Sequence, residues 1–220
     1  MATLVMGIVN VTPDSFAESR PLVVNDEVDI DAAVNRGIAL AAAGADIIDV
    51  GGESTRPGAE PVSTVEEQQR VLPVIAALVA AGVSVSVDTR HAVTADAAVA
   101  AGAKVINDVS CGCDPEMFDV AARSGAKYVL THNRGDSADM YAQADYADIA
   151  SDVATELKSK ITEVLSAGVA EEQLIIDPGI GFAKTPAQNW ELLRNLAPVQ
   201  ALGFPLLLGV SRKRFLGELL

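Results

Sequence analysis

The sequence predicts an α/β fold built on a parallel sheet, and three observations support this prediction. Apolar segments typical of buried strands alternate regularly with longer segments typical of helices. A glycine stands before six of the strand segments, where it can end the preceding helix in a left-handed conformation. Polar side chains follow nearly every strand segment, which is typical of a site built from strand ends.

Seven strand segments are predicted along the chain. The first spans about residues 4–9, and its composition of Leu, Val and Ile, like that of the others, suits strands buried on both faces of a sheet. The other six each follow a glycine: Gly44 before DIIDV, Gly82 before VSVSVD, Gly102 before AKVIND, Gly125 before AKYVLTH, Gly168 before LIID and Gly203 before PLLLGV.

Six helices are predicted as the connections between these strands. They span residues 31–43, 65–81, 89–101, 115–124, 145–167 and 186–202. Ser63 and Glu66 have the spacing of a capping box, which places the start of the second helix between them. Pro198 predicts a kink in the last helix, because proline cannot donate the backbone hydrogen bond that a helix interior needs.

Two parallel architectures fit this order, an open doubly wound sheet and a closed barrel. No G-x-G-x-x-G follows the first strand, and no P-loop occurs in the sequence. Polar residues follow many different strands, whereas an open sheet concentrates them at one switch point. The sequence therefore favours a single domain over residues 1–220 with the fold of a TIM-type (β/α)8 barrel. Such barrels typically have about 250 residues, so the barrel's eighth strand and its helix are expected to be absent from this sequence.

Charge and cysteine content exclude several classes of protein. The 220 residues carry 30 acidic and 16 basic side chains, a net charge of −14, which disfavours nucleic acid as a partner. Cys111 and Cys113 are the only cysteines and make no disulfide framework, which indicates a reducing compartment. The amino-terminal segment has no basic signal-peptide region, and the longest apolar run, residues 75–83, is too short to span a bilayer. We therefore expect a cytoplasmic protein with a small-molecule ligand and no membrane partner.

Residues at three strand ends predict a site for a heterocycle that is rich in hydrogen-bond donors. Asp88, Asn107 and Asp177 each follow an apolar strand segment. A carboxylate can accept two N–H bonds from an amidine-like edge, and an asparagine can donate and accept beside it. Lys213 adds a donor for a carbonyl oxygen or a ring nitrogen. Asp108 also follows a strand, but helix capping is the role we expect for it.

Metal chemistry based on histidine is not expected. His91 and His132 are the only histidines and are too far apart in sequence for a metal motif. We expect His91 to face solvent near a helix start, and His132 to be a candidate ligand contact at a strand end. The oxygen-rich loops suit Mg²⁺ better, held by Asn10 and by phosphates of the ligand.

These motifs together resemble the dihydropteroate synthase family, and they occur in the family's order over essentially the whole chain. The matching segments are MGIVNVTPDSF at 6–16, GADIIDVGGESTRPG at 44–58, VSVDT at 85–89, VINDVS at 105–110, LTHNRG at 130–135, LIIDPGIGFAKT at 174–185 and LLGVSRKRFLG at 207–217. The resemblance implies condensation of 6-hydroxymethyl-7,8-dihydropterin pyrophosphate with 4-aminobenzoate, which gives 7,8-dihydropteroate and pyrophosphate. It also implies a homodimer.

Site residues follow from the resemblance position by position. The pterin-binding set is Asp88, Asn107, Asp177 and Lys213, of which Asp88, Asp177 and Lys213 are the catalytic candidates. Asn10 corresponds to the residue that meets Mg²⁺ beside the pyrophosphate. The 4-aminobenzoate pocket corresponds to Phe16, Thr55, Arg56, Pro57, Phe182, Ser211 and Arg214.

The sequence departs from the family pattern at several positions. Asn133 stands where many members have a bulky apolar residue, and Arg214 follows Lys213 where many have serine. The first loop lacks the usual pair of glycines, and no residues match the carboxy-terminal Arg and His that bind pyrophosphate in the family. We expect Arg214 to pair with the aminobenzoate carboxylate.

Three other functions fit parts of the sequence. A pterin-binding methyltransferase of the methyltetrahydrofolate and cobalamin type shares the barrel and the Asp and Asn set, although the S-R-K after strand seven and the T-P-D-S-F loop favour the synthase. A class I aldolase would use Lys213 as a Schiff base. A pterin-binding paralogue or fragment would bind ligand without turnover.

Overall fold

The structure is a computed structural model, and it describes residues 3–12, 22–24, 27–54, 61–135 and 140–217. The chain forms two compact units, residues 1–107 and residues 108–220. In each unit, strands alternate with helices in the predicted order. A single domain over residues 1–220 stays a prediction.

The first unit consists of parallel strands joined by helices, with one short hairpin near its start. Its elements are β1 Met6–Asn10, β2 Val23–Val24, β3 Glu27–Val28, α1 Ile30–Ala42, β4 Ile47–Gly51, α2 Thr64–Ala80, β5 Val85–Asp88, α3 Ala92–Ala100 and β6 Val105–Asp108, whose last residue belongs to the second unit. The antiparallel pair of β2 and β3 was not predicted, because two residues are too few to produce a hydrophobic pattern.

The main strands of the first unit pair in parallel in the order β1, β4, β5 and β6. The register places Asn10 opposite Gly51, Gly51 opposite Asp88, and Asp88 opposite Asn107. Because the strands are parallel, their carboxyl ends lie at one edge of the sheet. The pairing therefore brings the predicted polar residues of this unit side by side at that edge.

Side chains from the strands and from one face of α2 form the core of the first unit. Ile48, Val50, Val85 and Val87 on the strands and Leu78 on α2 are fully buried. Burial of each such side chain contributes roughly 1.5–3 kcal/mol to folding. Gly44, Gly82 and Gly102 follow the helices with positive φ angles, so the predicted glycine stops are confirmed here.

The second unit begins with α4 Met117–Ser124 and β7 Lys127–Thr131 and continues with a long helix, α5 Ile149–Ser166, and β8 Leu174–Asp177. The shorter helices α6 Pro186–Arg194, α7 Ala197–Gln200 and α8 Arg214–Gly217 follow. Short 3-10 turns occupy Met140–Gln143 and Glu171–Gln173. β7 and β8 pair in parallel, with Thr131 opposite Asp177.

Two predicted elements of the second unit differ from the expectation. The strand predicted after Gly203 shows a single bridge within the described parts of the chain, between Ile176 and Leu206, since Pro205 has no N–H to extend the ladder. The helix predicted at 186–202 is two helices, because the first ends at Arg194 and Pro198 lies in the first turn of the next. Among the residues with a described placement, no helix is long and apolar enough to cross a membrane.

Candidate active site

Two oxygen atoms from predicted site residues lie near Gly51 in the first unit. A Cβ atom added to Gly51 would lie 3.4 Å from Asp88 Oδ2 and 3.5 Å from Asn10 Oδ1. Both side chains are half-buried. The absence of a side chain at residue 51 therefore leaves space beside an amide oxygen and a carboxylate oxygen, which are ligand atoms that Mg²⁺ accepts.

Asn107 is held in one orientation by a buried carboxylate. Its Nδ2 donates to Asp49 Oδ2 at 2.9 Å, and both residues are buried. Burial raises the pKa of Asp49, and the hydrogen bond from Asn107 opposes that rise. The bond uses the amide nitrogen of Asn107, so Oδ1 is the atom of this amide that remains to accept from a ligand. Sequence reasoning placed Asp49 at a strand end but did not identify this contact.

Asp108 organises a loop rather than capping a helix. Its carboxylate accepts from the backbone N–H and hydroxyl of Ser110, from the N–H of Gly112 and from the Tyr128 hydroxyl, at 2.6–2.9 Å. The helix α4 begins after Glu116 without a side-chain cap. The expected capping by Asp108 is therefore wrong, because α4 starts nine residues further on.

Asp177 is the buried carboxylate of the second unit and lies at the end of β8. Its Oδ1 accepts from the N–H of Gly179 at 2.7 Å. Burial raises its pKa to about 6, while the Gly179 N–H and the charges of Lys213 and Lys184 oppose the rise. The carboxyl group is therefore largely ionised at neutral pH and suited to accept hydrogen bonds from a cationic or donor-rich ligand.

Lys213 and Phe182 lie together in the second unit. The Lys213 ammonium is 4.1 Å from the centroid of the Phe182 ring, a cation–π distance. Gly181 has a φ of 86°, and a Cβ atom there would lie 2.8 Å from the Lys213 side chain. The ring of Phe215 in α8 packs edge-on against Trp190 in α6, with centroids 5.1 Å apart, and so fixes the chain just after Lys213.

The other residues predicted for the 4-aminobenzoate pocket lie largely outside the described residues. Ser211 is exposed, and the side chain of Arg214 lies outside the described residues, as do Phe16, Thr55, Arg56 and Pro57 entirely. Asn133 is half-buried, donates from Nδ2 to the Val109 carbonyl at 3.3 Å and accepts the Arg134 N–H at 2.9 Å. The polar side chain at this unusual position is therefore satisfied by nearby backbone.

His132 is buried between two charged side chains. Its Nε2 lies 3.0 Å from Glu156 Oε2, and its Nδ1 lies 3.0 Å from Lys184 Nζ. Burial lowers its pKa to about 4, so the imidazole is neutral at physiological pH. Sequence analysis gave Lys184 and Glu156 no role. The position of Lys184 inside an otherwise apolar, glycine-rich segment is the sequence feature that could have indicated its burial.

His91 was expected to face solvent, but it contacts a buried carboxylate instead. It precedes α3, and its Nδ1 lies 2.9 Å from the buried Glu67, which also accepts from Thr94 at 2.6 Å. Ligand atoms of Glu53, Glu67 and His91 lie within 4.8 Å of one another. However, Glu53 already accepts two hydrogen bonds from Arg90, at 2.9 and 3.0 Å. This cluster is therefore a structural ion-pair network.

Comparisons with known proteins identify the family of this chain. The model of the pterin binding enzyme family matches residues 6–220. The dihydropteroate synthase of Mycobacterium leprae is 45% identical over 218 residues, which cover 98% of this chain and 75% of that protein. The α/β fold of TIM-barrel type predicted from the sequence is confirmed by matches to solved dihydropteroate synthases.

Two of these solved structures are of Xanthomonas albilineans dihydropteroate synthase. The structure with 4-aminobenzoic acid has a TM-score of 0.88 and 45% identity, covering 98% of this chain and 76% of that one. The complex with 7,8-dihydropteroate has a TM-score of 0.84 and 41% identity, covering 98% and 75%. The chain therefore belongs to the pterin-binding enzyme family and, within it, to the dihydropteroate synthases.

Proposed function

We propose that this protein joins 6-hydroxymethyl-7,8-dihydropterin pyrophosphate to 4-aminobenzoate, which yields 7,8-dihydropteroate and pyrophosphate. The observation that carries the proposal is the buried carboxylate of Asp177, with Lys213 and Phe182 in the same unit. Relatives named dihydropteroate synthase, at identities of 42–45%, support it.

Pterin recognition is assigned to Asp88, Asn107, Asp177 and Lys213. Carboxylates at Asp88 and Asp177 accept N–H bonds from the heterocycle, and Lys213 donates to a carbonyl or ring nitrogen. The hydrogen bond to Asp49 fixes which atom Asn107 presents. These assignments follow the sequence motifs and are consistent with the burial of Asn107 and Asp177.

The chemical step requires that positive charge be stabilised at the exocyclic carbon of the pterin. As the bond from this carbon to the pyrophosphate oxygen breaks, the electron pair leaves with pyrophosphate. The carboxylates of Asp88 and Asp177 are the groups proposed to stabilise the resulting cation. The amino group of 4-aminobenzoate then forms the new carbon–nitrogen bond and releases a proton to solvent. No covalent enzyme intermediate is needed.

The oxygen atoms near Gly51 suit the Mg²⁺ expected from the resemblance. Asn10 Oδ1 is a hard ligand atom beside space that a side chain at residue 51 would fill. Mg²⁺ keeps several waters and commonly uses one or two protein oxygens together with substrate phosphates. When bound, the ion would neutralise charge on the leaving pyrophosphate, and Asn10 would hold it.

The 4-aminobenzoate pocket is assigned to Phe16, Thr55, Arg56, Pro57, Phe182, Ser211 and Arg214. Of these, Phe182 contacts another proposed site residue, because its ring lies beside the Lys213 ammonium. A cytoplasmic location is part of the proposal and is supported by Cys111 and Cys113, which are not joined in a disulfide. The homodimer is proposed from the resemblance and is testable by light scattering.

An assay for dihydropteroate tests the proposed function against the methyltransferase alternative. The purified protein is supplied with the pterin pyrophosphate, 4-aminobenzoate and Mg²⁺, and separately with methyltetrahydrofolate and a cobalamin acceptor. We expect dihydropteroate in the first reaction and no methyl transfer in the second. Methyl transfer without condensation would contradict the proposal, and pterin binding without either product would favour a binding paralogue.

A further inference from the structure

The segment after β8 is anchored by a buried lysine. Lys184 is 1% exposed, and its ammonium lies 3.0 Å from the carbonyl oxygens of both Gly179 and Phe182. It also lies 3.0 Å from Nδ1 of His132. An ammonium has three N–H donors, so each proton has an acceptor. Lys184 therefore closes residues 179–184 into a loop around its own charge.

The third acceptor connects this ammonium to a carboxylate nearer the surface. Because His132 Nδ1 accepts from Lys184, its proton is on Nε2, which donates to Glu156 at 3.0 Å. Arg134 donates to both oxygen atoms of Glu156, and its guanidinium lies 3.8 Å from the ring centroid of Tyr146. Glu156, on α5, therefore balances the buried charge through a neutral imidazole.

The loop that Lys184 closes contains Phe182, a proposed site residue, and Gly179, which contacts the proposed site residue Asp177. Gly179, one of its two carbonyl partners, donates its N–H to Asp177 at 2.7 Å. Phe182, the other, places its ring 4.1 Å from the Lys213 ammonium. Ala183, between Phe182 and Lys184, has a φ of 48°, a left-handed conformation that needs support from its surroundings. Lys184 thus holds the backbone at Gly179 and at Phe182.

Stability alone does not account for a cation at this position. Burial of an ammonium is costly, and well-packed apolar side chains often replace whole buried ion pairs without loss of stability. The cost is visible in the pKa of Lys184, which burial lowers to about 7 even though Asp177 opposes the change. The charged and titratable groups that face it are Asp177, His132, Arg134, Glu156, Tyr146 and Cys111.

We propose that Lys184 is a positioning residue for the reaction: its ammonium fixes residues 179–182 so that Asp177 meets the pterin and Phe182 meets 4-aminobenzoate. The inference rests on the proposed function and deepens it. Lys184 acts through the backbone of the loop and through the residues this backbone places, and it does not touch substrate.

Replacement of Lys184 by methionine tests the proposal, since methionine keeps the length of the side chain and removes its three donors. We expect kcat/KM for 4-aminobenzoate to fall roughly 10- to 100-fold, the equivalent of lost hydrogen bonds to a charged group. Pterin affinity, measured by calorimetry, should fall about 5- to 10-fold. The unfolding temperature should fall only modestly, because removal of a buried charge offsets part of the loss of three hydrogen bonds.

The pH profile distinguishes positioning from simple packing. In the wild type, kcat/KM should decline as pH rises through about 7, because Lys184 loses its proton. The Lys184→Met variant should lack this decline. Glu156→Gln keeps the donors of Lys184 but removes a charge that raises its pKa, so the decline should move to lower pH. Glu156→Gln also supplies the test if Lys184→Met does not fold.

Lys160→Met is the matched control, since Lys160 is a partly exposed lysine of α5 that pairs with Glu163 at 2.8 Å. It should keep wild-type kinetics. Wild-type kinetics and an unchanged alkaline decline in Lys184→Met would overturn the inference while the proposed function stands. If the wild type makes no dihydropteroate, the proposed function fails, and pterin affinity decides about Lys184: equal affinity in wild type and Lys184→Met overturns the inference.

Discussion

At the scale of single residues, the second unit contains a buried carboxylate whose ionisation costs stability and a glycine whose N–H hydrogen-bonds to it. Asp177 is buried and has a pKa of about 6, so its ionised form is kept at the expense of stability. The N–H of Gly179 stabilises that ionised form. Gly179 itself has a φ of 70°, and a Cβ atom there would lie 1.8 Å from the carbonyl oxygen of His132. Only glycine fits this position.

Substitution of Gly179 by alanine should destabilise the protein strongly. The left-handed φ costs about 1 kcal/mol for alanine, and the clash with His132 should raise the total to roughly 3–5 kcal/mol. Gly125→Ala is the control, because Gly125 has a nearly equal φ of 68° and no atom within 4 Å of the added Cβ. Chemical denaturation measures both variants, and equal losses would contradict the steric explanation.

At the scale of elements, the loops after β7 and β8 form one hydrogen-bonded assembly with α5. His132 follows β7, Lys184 follows β8, and Glu156 lies on α5. The pKa of Glu156 is lowered to about 2, chiefly by hydrogen bonds from His132 and Arg134. Protonation of His132 would place a cation beside the Lys184 ammonium in a buried site. This part of the fold therefore requires a neutral His132.

Acid should weaken the fold through His132. Its pKa is about 4 in the folded protein against 6.5 as the ordinary value, so the unfolded chain binds the proton more tightly. The contribution of His132 to the free energy of unfolding should therefore fall as pH decreases from 6.5 to 4, while that of Asp177 changes in the opposite direction. His132→Gln should lack this part of the decrease, whereas His91→Gln should retain it. The same decrease in all three proteins, measured by denaturation at each pH, would contradict the prediction.

The strand-to-helix order, the glycine stops and the TIM-type fold could be predicted from the sequence, because hydrophobic periodicity and glycine position are local signals. The weak pairing of the strand after Gly203 and the division of the helix predicted at 186–202 could not be predicted, since the single bridge at Leu206 and the break at Asn195 depend on tertiary pairing. For the site, the polar residues at strand ends were identifiable. The contacts Asp49 to Asn107 and Lys184 to His132 were not, because they join residues 58 and 52 positions apart.

At the scale of the whole molecule, function and stability should respond in opposite directions to one substitution. Ionised Asp177 is less favourable in the folded protein than in the unfolded chain, where its ordinary pKa is 3.8. This difference corresponds to roughly 3 kcal/mol that the folded state loses as pH rises from 3.8 through 6. Asp177→Asn should therefore raise the free energy of unfolding at pH 7, by about 1–3 kcal/mol, and the gain should vanish near pH 4.

The most direct test of the proposed pterin enzyme is a calorimetric titration of wild type, Asp177→Asn and the exposed control Asp31→Asn with 6-hydroxymethyl-7,8-dihydropterin pyrophosphate and Mg²⁺. We expect the wild type and Asp31→Asn to bind equally. The Asp177→Asn protein, although folded and at least as stable, should lose affinity by about 100-fold or more, because an ionic acceptor for the heterocycle is gone. Unchanged affinity in Asp177→Asn would contradict the assignment of pterin recognition to this carboxylate.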